Sequence, residues 1–389
     1  MMNKRLARHL VPSLCAAGLG LLLLAAAPAR AEDGALNVMA QVQGEGLFQQ
    51  SGAVGMVMAV VRGENTAVLG FGETTKGNRK KPDGHTVVRL GSISKAMAGQ
   101  VLADLVVEGT VRLTDPIQGL LPQGRMAPAF AGRTITLLDL ATHTAGFPRD
   151  YEPDEDPKLA GNPYPYLTPE RYFDYLQKYR LTYPPGRVAN YSNYGFGLLG
   201  HLLGRATGSS FGALVADRIS RPLGMSDTAT ELRAEQRGRF MTGYNADNTP
   251  ADAWDGSEVM QGSGGVFSTA DDMARWLRYN VSTAPGPRAA TRSLAQAMYH
   301  SRQSLDAVIA LDGSLPIGGL GLVWEINLPT DRTPLLIQKT GGFSGFLTYA
   351  VFVPGRGLGA FVAINRMDLG AFMKIIEGTN TMLSVLAPR

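Results

Sequence analysis

Three short motifs in this chain carry side chains that could perform hydrolytic chemistry. In chain order they are Ser92 to Lys95 (S-x-x-K), Tyr191 to Asn193 (Y-x-N) and Lys339 to Gly341 (K-T-G), and each occurs once. A serine, a lysine and a tyrosine can together supply a nucleophile and the groups that move its proton. Each motif is short, so its weight depends on the element that would hold it.

The S-x-x-K motif opens a predicted helix. Apolar positions recur at helical spacing over residues 92–108, and Gly109 follows as a C-terminal cap. Ser92 and Lys95 would then lie one turn apart on the same face, at the positive end of the helix dipole. A lysine buried there would lose part of its preference for charge, which a proton acceptor for serine needs. The alternative interpretation is a helix cap followed by a surface lysine.

The Y-x-N motif follows a Pro184-Pro185-Gly186 turn and precedes a predicted helix over 193–206, which indicates a loop between helices. If Tyr191 lies near two lysine ammonium groups, it could take a proton from the serine and return it to the leaving nitrogen. Asn193 offers an amide that could bind a substrate carbonyl and orient the lysine of the first motif. The alternative is that Tyr191 packs as one aromatic among its neighbours.

The K-T-G motif closes a predicted strand over Leu335 to Lys339 and is followed by a second glycine, Gly342. A strand edge offers its N–H groups to an extended substrate backbone, and Gly341 lets that backbone come close. The lysine and Thr340 would bind a carboxylate. The N–H of Gly342 could pair with that of the serine as an oxyanion hole. The alternative is a strand that simply ends in a turn.

The elements around these motifs are strands near both ends of the chain and helices between them. Valine-rich and alternating runs separated by turn residues predict strands, and capped 3.6-residue periodicity predicts helices. The predicted strands are 54–61 and 66–71 as a hairpin, then 320–326, 335–339, 346–353 and 358–364; the further predicted helices are 169–179, 193–206, 210–219, 270–280 and 372–386. Pro169 suits a first helical turn, and Ser268 or Thr269 suits a cap.

This order predicts an α+β protein: an antiparallel sheet flanked by helices, with an inserted helical lobe. The α+β lobe would comprise residues about 32–115 and 295–389, and the helical lobe residues about 116–294, within one catalytic unit from 32 to 389. A cleft between two such lobes is the natural place for a site.

Residues 1–31 have the order of a secretory signal peptide. Lys4, Arg5 and Arg8 precede an apolar run from Leu10 to Ala27, and Ala29-Arg30-Ala31 forms a cleavage site. The rival interpretation is an uncleaved anchor, because the run approaches spanning length. Export to the periplasm, with cleavage after Ala31 and no membrane span afterwards, is the expectation.

Removal of that segment changes the net charge and the cysteine content of the chain. It takes away four basic residues and no acidic one, which leaves 33 basic and 33 acidic residues. A chain with this balance lacks the excess positive charge that is typical of nucleic-acid-binding proteins. Cys15, the single cysteine, leaves as well, so thiol catalysis and cysteine-ligated metal are excluded from the remainder. No metal or other cofactor is expected.

For the other motifs we prefer a structural interpretation to a catalytic one. Gly208 to Gly212 matches the G-x-S-x-G elbow, but it lies between predicted helices, where a serine cap is the better interpretation. His143 follows a helical stretch and is interpreted as a structural hydrogen-bonding residue rather than a base. The proline-rich segment Pro148 to Pro169, with Glu152, Asp154, Glu155 and Asp156, is predicted to be an irregular loop.

The three motifs together resemble the serine β-lactamases and penicillin-binding peptidases, which share S-x-x-K and K-T-G elements. A tyrosine in place of a Ser-Asp-Asn box resembles the class C branch, and the overall likeness is greatest to its AmpH-type D-alanyl-D-alanine carboxypeptidases/endopeptidases. The likeness extends from about Val54 to about Arg366. It is carried by RLGSISK (89–95), LATHTAG (140–146), YSNYGFGLLG (191–200), GSGGVFST (262–269) and QKTGGFSG (338–345).

The resemblance implies a metal-free periplasmic peptidase that acts on peptidoglycan stem peptides and cross-links and is also acylated by β-lactam antibiotics. It also implies that the proline-rich loop lies near the cleft. A class C-like β-lactamase, an esterase of the same fold and a catalytically silent penicillin-binding protein remain as alternatives. The predicted site residues are Ser92, Lys95 and Tyr191 for catalysis, Asn193, Lys339, Thr340 and Gly341 for substrate binding, and the N–H groups of Ser92 and Gly342 for the oxyanion hole.

Overall fold

The computed structural model describes residues 26–152, 162, 164–254, 257–311 and 316–387, with side chains from residue 34 onward. Most of the predicted signal peptide, including Cys15, lies outside these residues, as do the acidic residues 154–156 of the proline-rich loop. Within the described residues, no helix is both long enough and apolar enough to span a membrane.

The centre of the fold is an eight-stranded antiparallel sheet. The strands of the protein in chain order are β1 (Gly55–Arg62), β2 (Asn65–Gly72), β3 (Val87–Arg89), β4 (Ala129–Phe130), β5 (Arg133–Thr134), β6 (Val188–Asn190), β7 (Tyr244–Asn245), β8 (Phe267–Thr269), β9 (His300–Ser301), β10 (Ala307–Ile309), β11 (Gly319–Leu320), β12 (Glu325–Asn327), β13 (Leu336–Phe343), β14 (Phe346–Val353), β15 (Leu358–Ile364) and β16 (Arg366–Met367). The order across the large sheet is β2-β1-β15-β14-β13-β12-β11-β9, so the first strands of the chain lie beside the last long one.

Helices cover both faces of this sheet. They are α1 (Ala26–Ser51), α2 (Ser94–Val107), α3 (Leu137–Ala141), α4 (Pro169–Lys178), α5 (Asn193–Thr207), α6 (Phe211–Val215), α7 (Arg221–Leu223), α8 (Ala234–Arg237), α9 (Gln261–Gly264), α10 (Ala270–Val281), α11 (Ala289–Gln296) and α12 (Leu369–Leu386). On one face α1 and α12 bury a cluster that includes Met56, Val351 and Ile375. On the other face a larger core joins the sheet to α2, α5 and α10.

Sequence patterns predicted most of these elements. The hairpin of β1 and β2, the helix cap at Thr269 and the proline in the first turn of α4 are confirmed. The predicted ranges 346–353 and 358–364 coincide with β14 and β15. The α+β class with an antiparallel sheet flanked by helices is therefore confirmed, whereas the boundaries of the two lobes stay a prediction.

The predicted strand 320–326 is wrong, because the chain reverses within it. β11 pairs with β12 antiparallel, and the N–H of Gly321 donates to the carbonyl of Trp324 at 2.8 Å across the turn. Val323 has a φ of +71°, which is unusual for a β-branched residue. The apolar composition of this segment reflects burial of a turn rather than one continuous strand.

The strand that carries K-T-G continues further than predicted. β13 extends from Leu336 to Phe343 and pairs with β14 as far as Phe343 and Phe346. The connection is a two-residue turn in which Ser344 and Gly345 both have positive φ, a geometry that suits the twist of a hairpin. The glycines after Thr340 therefore lie within the strand, although their composition suggested its end.

The surroundings of Y-x-N also differ from the prediction. Tyr191 follows the short strand β6, and Asn193 is the first residue of α5. The motif thus occupies a strand-to-helix connection instead of a loop between two helices. Ser192 caps α5 by accepting a hydrogen bond from the N–H of Gly195 at 2.8 Å.

Candidate active site

Ser92 lies in a short 3-10 turn, Gly91–Ile93, that leads directly into α2. Its two neighbours in the turn are buried, whereas Ser92 is half-buried and can be reached from outside. The Ser92 Oγ accepts hydrogen bonds from the Tyr191 hydroxyl at 2.6 Å and from Lys95 Nζ at 3.0 Å. Two of the predicted proton-transfer groups are therefore within hydrogen-bond reach of the predicted nucleophile.

Lys95 is fully buried beneath this serine. Its ammonium group also donates to Asn193 Oδ1 at 2.7 Å and to the backbone carbonyl of Ser263 at 2.6 Å. An ammonium group has three protons to donate, and these two acceptors with the serine oxygen match that number. The lysine is consequently fixed in position.

Tyr191 is also buried, with its hydroxyl directed at Ser92. Its ring centroid lies 4.9 Å from Lys95 Nζ, 5.3 Å from Lys339 Nζ and 4.7 Å from Arg149 Cζ. Cations around one ring stabilise negative charge that develops on its oxygen. Two of these cations are the lysines predicted to lie near Tyr191, and the third is an arginine.

Asn193 connects the buried lysine to the surface. Its Oδ1 accepts from Lys95, and its Nδ2 donates to Asp150 Oδ1 at 2.8 Å. The predicted orientation of Lys95 by this amide is in accord with these contacts. The second contact was not predicted.

Lys339 lies on β13 with its ammonium group paired to Glu325 of the neighbouring strand β12, at 3.3 Å between Nζ and Oε1. The side chains of both residues are only 1% exposed. Thr340, the next residue, is buried as well. The lysine of K-T-G is therefore enclosed between a carboxylate and the ring of Tyr191.

The glycines on both sides of the site permit a close approach of backbones. Gly91 has a φ of +53°, and a Cβ added to it would fall 2.6 Å from the backbone nitrogen of Gly342. A Cβ added to Gly341 would fall 3.1 Å from the backbone nitrogen of Ser92. The turn before α2 and the end of β13 are thus adjacent. The predicted oxyanion hole from Ser92 and Gly342 requires this adjacency.

His143 lies against the face of Tyr191, with 4.5 Å between ring centroids. Its Nδ1 accepts a hydrogen bond from the N–H of Ser192 at 3.0 Å. Burial first, and then the charges of Lys95, Lys339 and Arg149, hold the pKa of His143 well below its usual value. The ring is therefore neutral near pH 7, and the contact with Ser192 accords with a structural hydrogen-bonding role, which stays a prediction.

Described residues of the proline-rich loop border the site. Asp150 reaches Asn193, and the Tyr164 ring packs 5.3 Å from that of Phe343, which directly follows Gly342. Burial, and next the charge of Asp150, raise the pKa of Tyr164 to about 12, while Arg89 lowers it. Asp150 and Tyr164 therefore lie beside the candidate site, in accord with what the resemblance implied for this loop. Any control of access stays a prediction.

Several residues of the site gave little or no signal in the sequence. Glu325 is an acid inside an apolar run, and such a buried carboxylate needs a partner, so it could have been suspected. Ser263 contributes a backbone carbonyl, which leaves no trace in side-chain pattern. Asp150 is one acid in an acidic loop. The G-x-S-x-G serine Ser210 caps α6, as expected, by accepting a hydrogen bond from the N–H of Ala213.

No cluster of three or more histidine, cysteine, aspartate or glutamate side chains suited to a metal ion occurs among the described residues. The arrangement itself offers a serine hydroxyl flanked by a lysine and a tyrosine, next to a close approach of the backbones of Gly91 and Gly342.

Comparison with known proteins gives a consistent result. Residues 37–376 match the family described as Beta-lactamase. The chain is 35% identical to the D-alanyl-D-alanine-carboxypeptidase/endopeptidase AmpH of Escherichia coli (strain K12), over 88% of this chain and 87% of that protein. It is 25% identical to a Beta-lactamase of Pseudomonas fluorescens, over 83% of this chain and 91% of the relative.

Its fold is similar to a crystal structure described as a Beta-lactamase/D-alanine Carboxypeptidase from Yersinia pestis complexed with citrate. The TM-score is 0.80 and the sequence identity 33%, and the match covers 90% of this chain and 98% of the other.

Proposed function

This chain belongs to the beta-lactamase family, and from that premise we propose that it is a periplasmic serine D-alanyl-D-alanine carboxypeptidase/endopeptidase acting on peptidoglycan peptides. The observation that carries the proposal is the position of Ser92 Oγ, 2.6 Å from the Tyr191 hydroxyl and 3.0 Å from Lys95 Nζ. The similarity to the AmpH peptidase over 88% of the chain supports the choice of substrate.

In the first half of the reaction Ser92 Oγ attacks the carbonyl carbon of the penultimate D-alanine. Tyr191 acts in its deprotonated form, which the surrounding cations stabilise; its oxygen takes the serine proton and then gives it to the nitrogen of the departing D-alanine. Lys95 holds the serine oxygen in position and takes part in the same proton transfer. The backbone N–H groups of Ser92 and Gly342 stabilise the oxyanion.

In the second half a water molecule attacks the resulting ester. Tyr191 accepts its proton, the bond to Ser92 Oγ breaks, and the serine oxygen recovers a proton as the acid leaves. Thr340 binds the terminal carboxylate of the substrate, and the buried ammonium group of Lys339 attracts that carboxylate by its charge, with Gly341 allowing its close approach. Because Lys339 is enclosed beside Glu325 and Tyr191, it also supports the proton-transfer group.

The second candidate is a class C-like β-lactamase, which the similarity to the Beta-lactamase of Pseudomonas fluorescens favours. It would use the same residues and differ in how fast the acyl-enzyme is hydrolysed. A ring-opened β-lactam keeps its amine tethered over the ester and shields it from water, whereas a peptide loses its D-alanine and leaves room. We therefore expect slow deacylation after a β-lactam and rapid deacylation after a peptide. An esterase of this fold is disfavoured because K-T-G suits a substrate with a carboxylate.

The test combines a burst experiment with a product assay. We expect a chromogenic cephalosporin to give a burst of one equivalent and a slow steady state, and muropeptides to release D-alanine. Rapid multiple turnover of the cephalosporin without D-alanine release would make the chain a β-lactamase instead.

The variant Ser92→Ala identifies the nucleophile. We expect it to lose both penicillin labelling and D-alanine release, by about four orders of magnitude or more in rate, because the acyl-enzyme cannot form. Ser210→Ala, in the decoy G-x-S-x-G motif, is the matched control and should keep both. Retained activity in Ser92→Ala, or labelling at another residue, would refute the assignment.

A further inference from the structure

The carboxylate of Asp150 lies at the rim of the site, two hydrogen bonds from the buried lysine. Lys95 donates to Asn193 Oδ1, and Asn193 Nδ2 donates to Asp150 Oδ1 at 2.8 Å. The Asp150 side chain is 54% exposed, unlike the enclosed groups beneath it. A substrate that reaches Ser92 would therefore meet this carboxylate from the solvent side.

The backbone around Asp150 is tied to the start of α5. The N–H of Asn193 donates to the carbonyl of Arg149 at 2.6 Å, and the Ser192 hydroxyl donates to the carbonyl of Pro148 at 2.6 Å. Both bonds connect the chain just before Asp150 to the Y-x-N motif itself. The carboxylate is thus held in a fixed relation to the catalytic groups.

This contact changes what the site offers to the acyl side of a substrate. Both ends of the Asn193 amide are engaged, its oxygen by Lys95 and its nitrogen by Asp150. An ionised carboxylate only accepts hydrogen bonds, and it has room for several. A substrate group that donates protons therefore fits here better than a carbonyl, which would have to compete for the amide nitrogen.

Arg149 is the charged group that could cancel this preference. Its Nε lies 3.8 Å from Asp150 Oδ2, beyond hydrogen-bond distance, and its guanidinium group lies over the Tyr191 ring at 4.7 Å. Ion pairs as exposed as this one are weak. The arginine consequently reduces the negative potential at Asp150 without occupying its oxygen atoms.

We propose that Asp150 is a specificity-determining residue that selects acyl donors with an ammonium group on the acyl side of the scissile bond. In a peptide, a diamino acid near the D-alanine pair is one such donor. The inference rests on the proposed function and deepens it, since it names the chemistry that distinguishes good substrates from poor ones.

Two penicillins form a matched pair of probes, because ampicillin differs from benzylpenicillin by one amino group beside the side-chain carbonyl. We would measure the second-order rate constant of Ser92 acylation by each at about pH 6, where an α-amino group is protonated. We expect the unmodified protein to prefer ampicillin and Asp150→Asn to lower that preference by about three- to tenfold, the size of one partly exposed charge contact. Glu152→Gln removes an exposed charge two residues away and should keep the preference.

The possible outcomes separate the two proposals. The specificity role would be overturned if Asp150→Asn preferred ampicillin as strongly as the unmodified protein does, or if Glu152→Gln lost as much of that preference as Asp150→Asn. Acylation of Ser92 in these proteins would still uphold the proposed function. Failure of both penicillins to label Ser92 would overturn the proposed function, and the inference with it.

Discussion

At the scale of single residues, the site is a concentration of positive charge with one buried acid. Lys95, Lys339 and Arg149 all lie within 5.3 Å of the Tyr191 ring centroid. Burial of unpaired charges is costly, so such a cluster needs compensation. Glu325 provides it from β12, at 3.3 Å from Lys339 Nζ. The acid therefore belongs to the candidate site although it is remote from Ser92 in sequence.

Removal of either member of the Glu325–Lys339 pair should destabilise the protein. In Glu325→Gln the ammonium group stays buried without its counter-charge, and in Lys339→Met the carboxylate does. Breaking a buried pair in this way costs about 3–5 kcal/mol in free energy of unfolding. We expect the double variant to lose less than the two single variants together, by at least about 1 kcal/mol. Chemical denaturation of all four proteins at pH 7 measures this coupling, and strictly additive losses would show that the pair is not coupled.

At the scale of elements, the position of Ser92 depends on the contact between the turn before α2 and the end of β13. Gly91 makes this contact possible because it has a positive φ and no side chain. In Gly91→Ala, the added Cβ would overlap backbone atoms of Gly342, and those atoms cannot move aside without disturbing the strand. The contact is thus a point where a single methyl group should separate the two halves of the predicted oxyanion hole.

We expect Gly91→Ala to abolish acylation of Ser92 and to lower the free energy of unfolding by more than the roughly 1–2 kcal/mol that a left-handed alanine costs alone. Gly109→Ala, at the other end of α2, is the matched control. Gly109 also has a positive φ, of +80°, but a Cβ there would meet no atom within 4 Å. Gly109→Ala should lose the free energy of unfolding that a left-handed alanine costs and keep its acylation rate. Normal penicillin labelling of Gly91→Ala would contradict the proposed geometry.

The elements also show how far sequence could predict this protein. The three motifs, the first-turn proline Pro169, the cap at Thr269 and the strands β14 and β15 follow from local patterns, and they were predicted. Contacts that depend on register between distant segments were not. Glu325 lies opposite Gln338, beside Lys339, only because the chain turns between β11 and β12. The apolar run hid that turn, because burial makes a turn as apolar as a strand.

At the scale of the whole molecule, the sheet joins the two ends of the chain. β1 pairs with β15 over seven residues, so strands near the start and the end of the chain support each other. α2, which directly follows the turn that holds Ser92, and α5, which begins with Asn193, pack in the same large core as α10. Because the motifs lie on separate parts of this core, the site exists only in the folded protein. We therefore expect the free energy of unfolding and the catalytic rate to follow the same pH dependence over the range in which buried groups titrate.

Burial lowers the pKa values of His143, His201 and His300 below their usual value of about 6.5. Below that pH the unfolded chain binds more protons than the folded one, so the free energy of unfolding falls as the pH falls toward the lowered values. For His143 alone the slope of the free energy of unfolding against pH approaches about 1.4 kcal/mol per pH unit.

His143→Asn keeps an acceptor for the Ser192 N–H and suits the φ of +60° at this position. We expect it to be less stable than the unmodified protein at about pH 7.5, with a difference that shrinks between about pH 6.5 and 5, because the variant no longer has this proton to exclude. Denaturation curves across that range measure the difference, and a constant value would show that His143 does not titrate on unfolding.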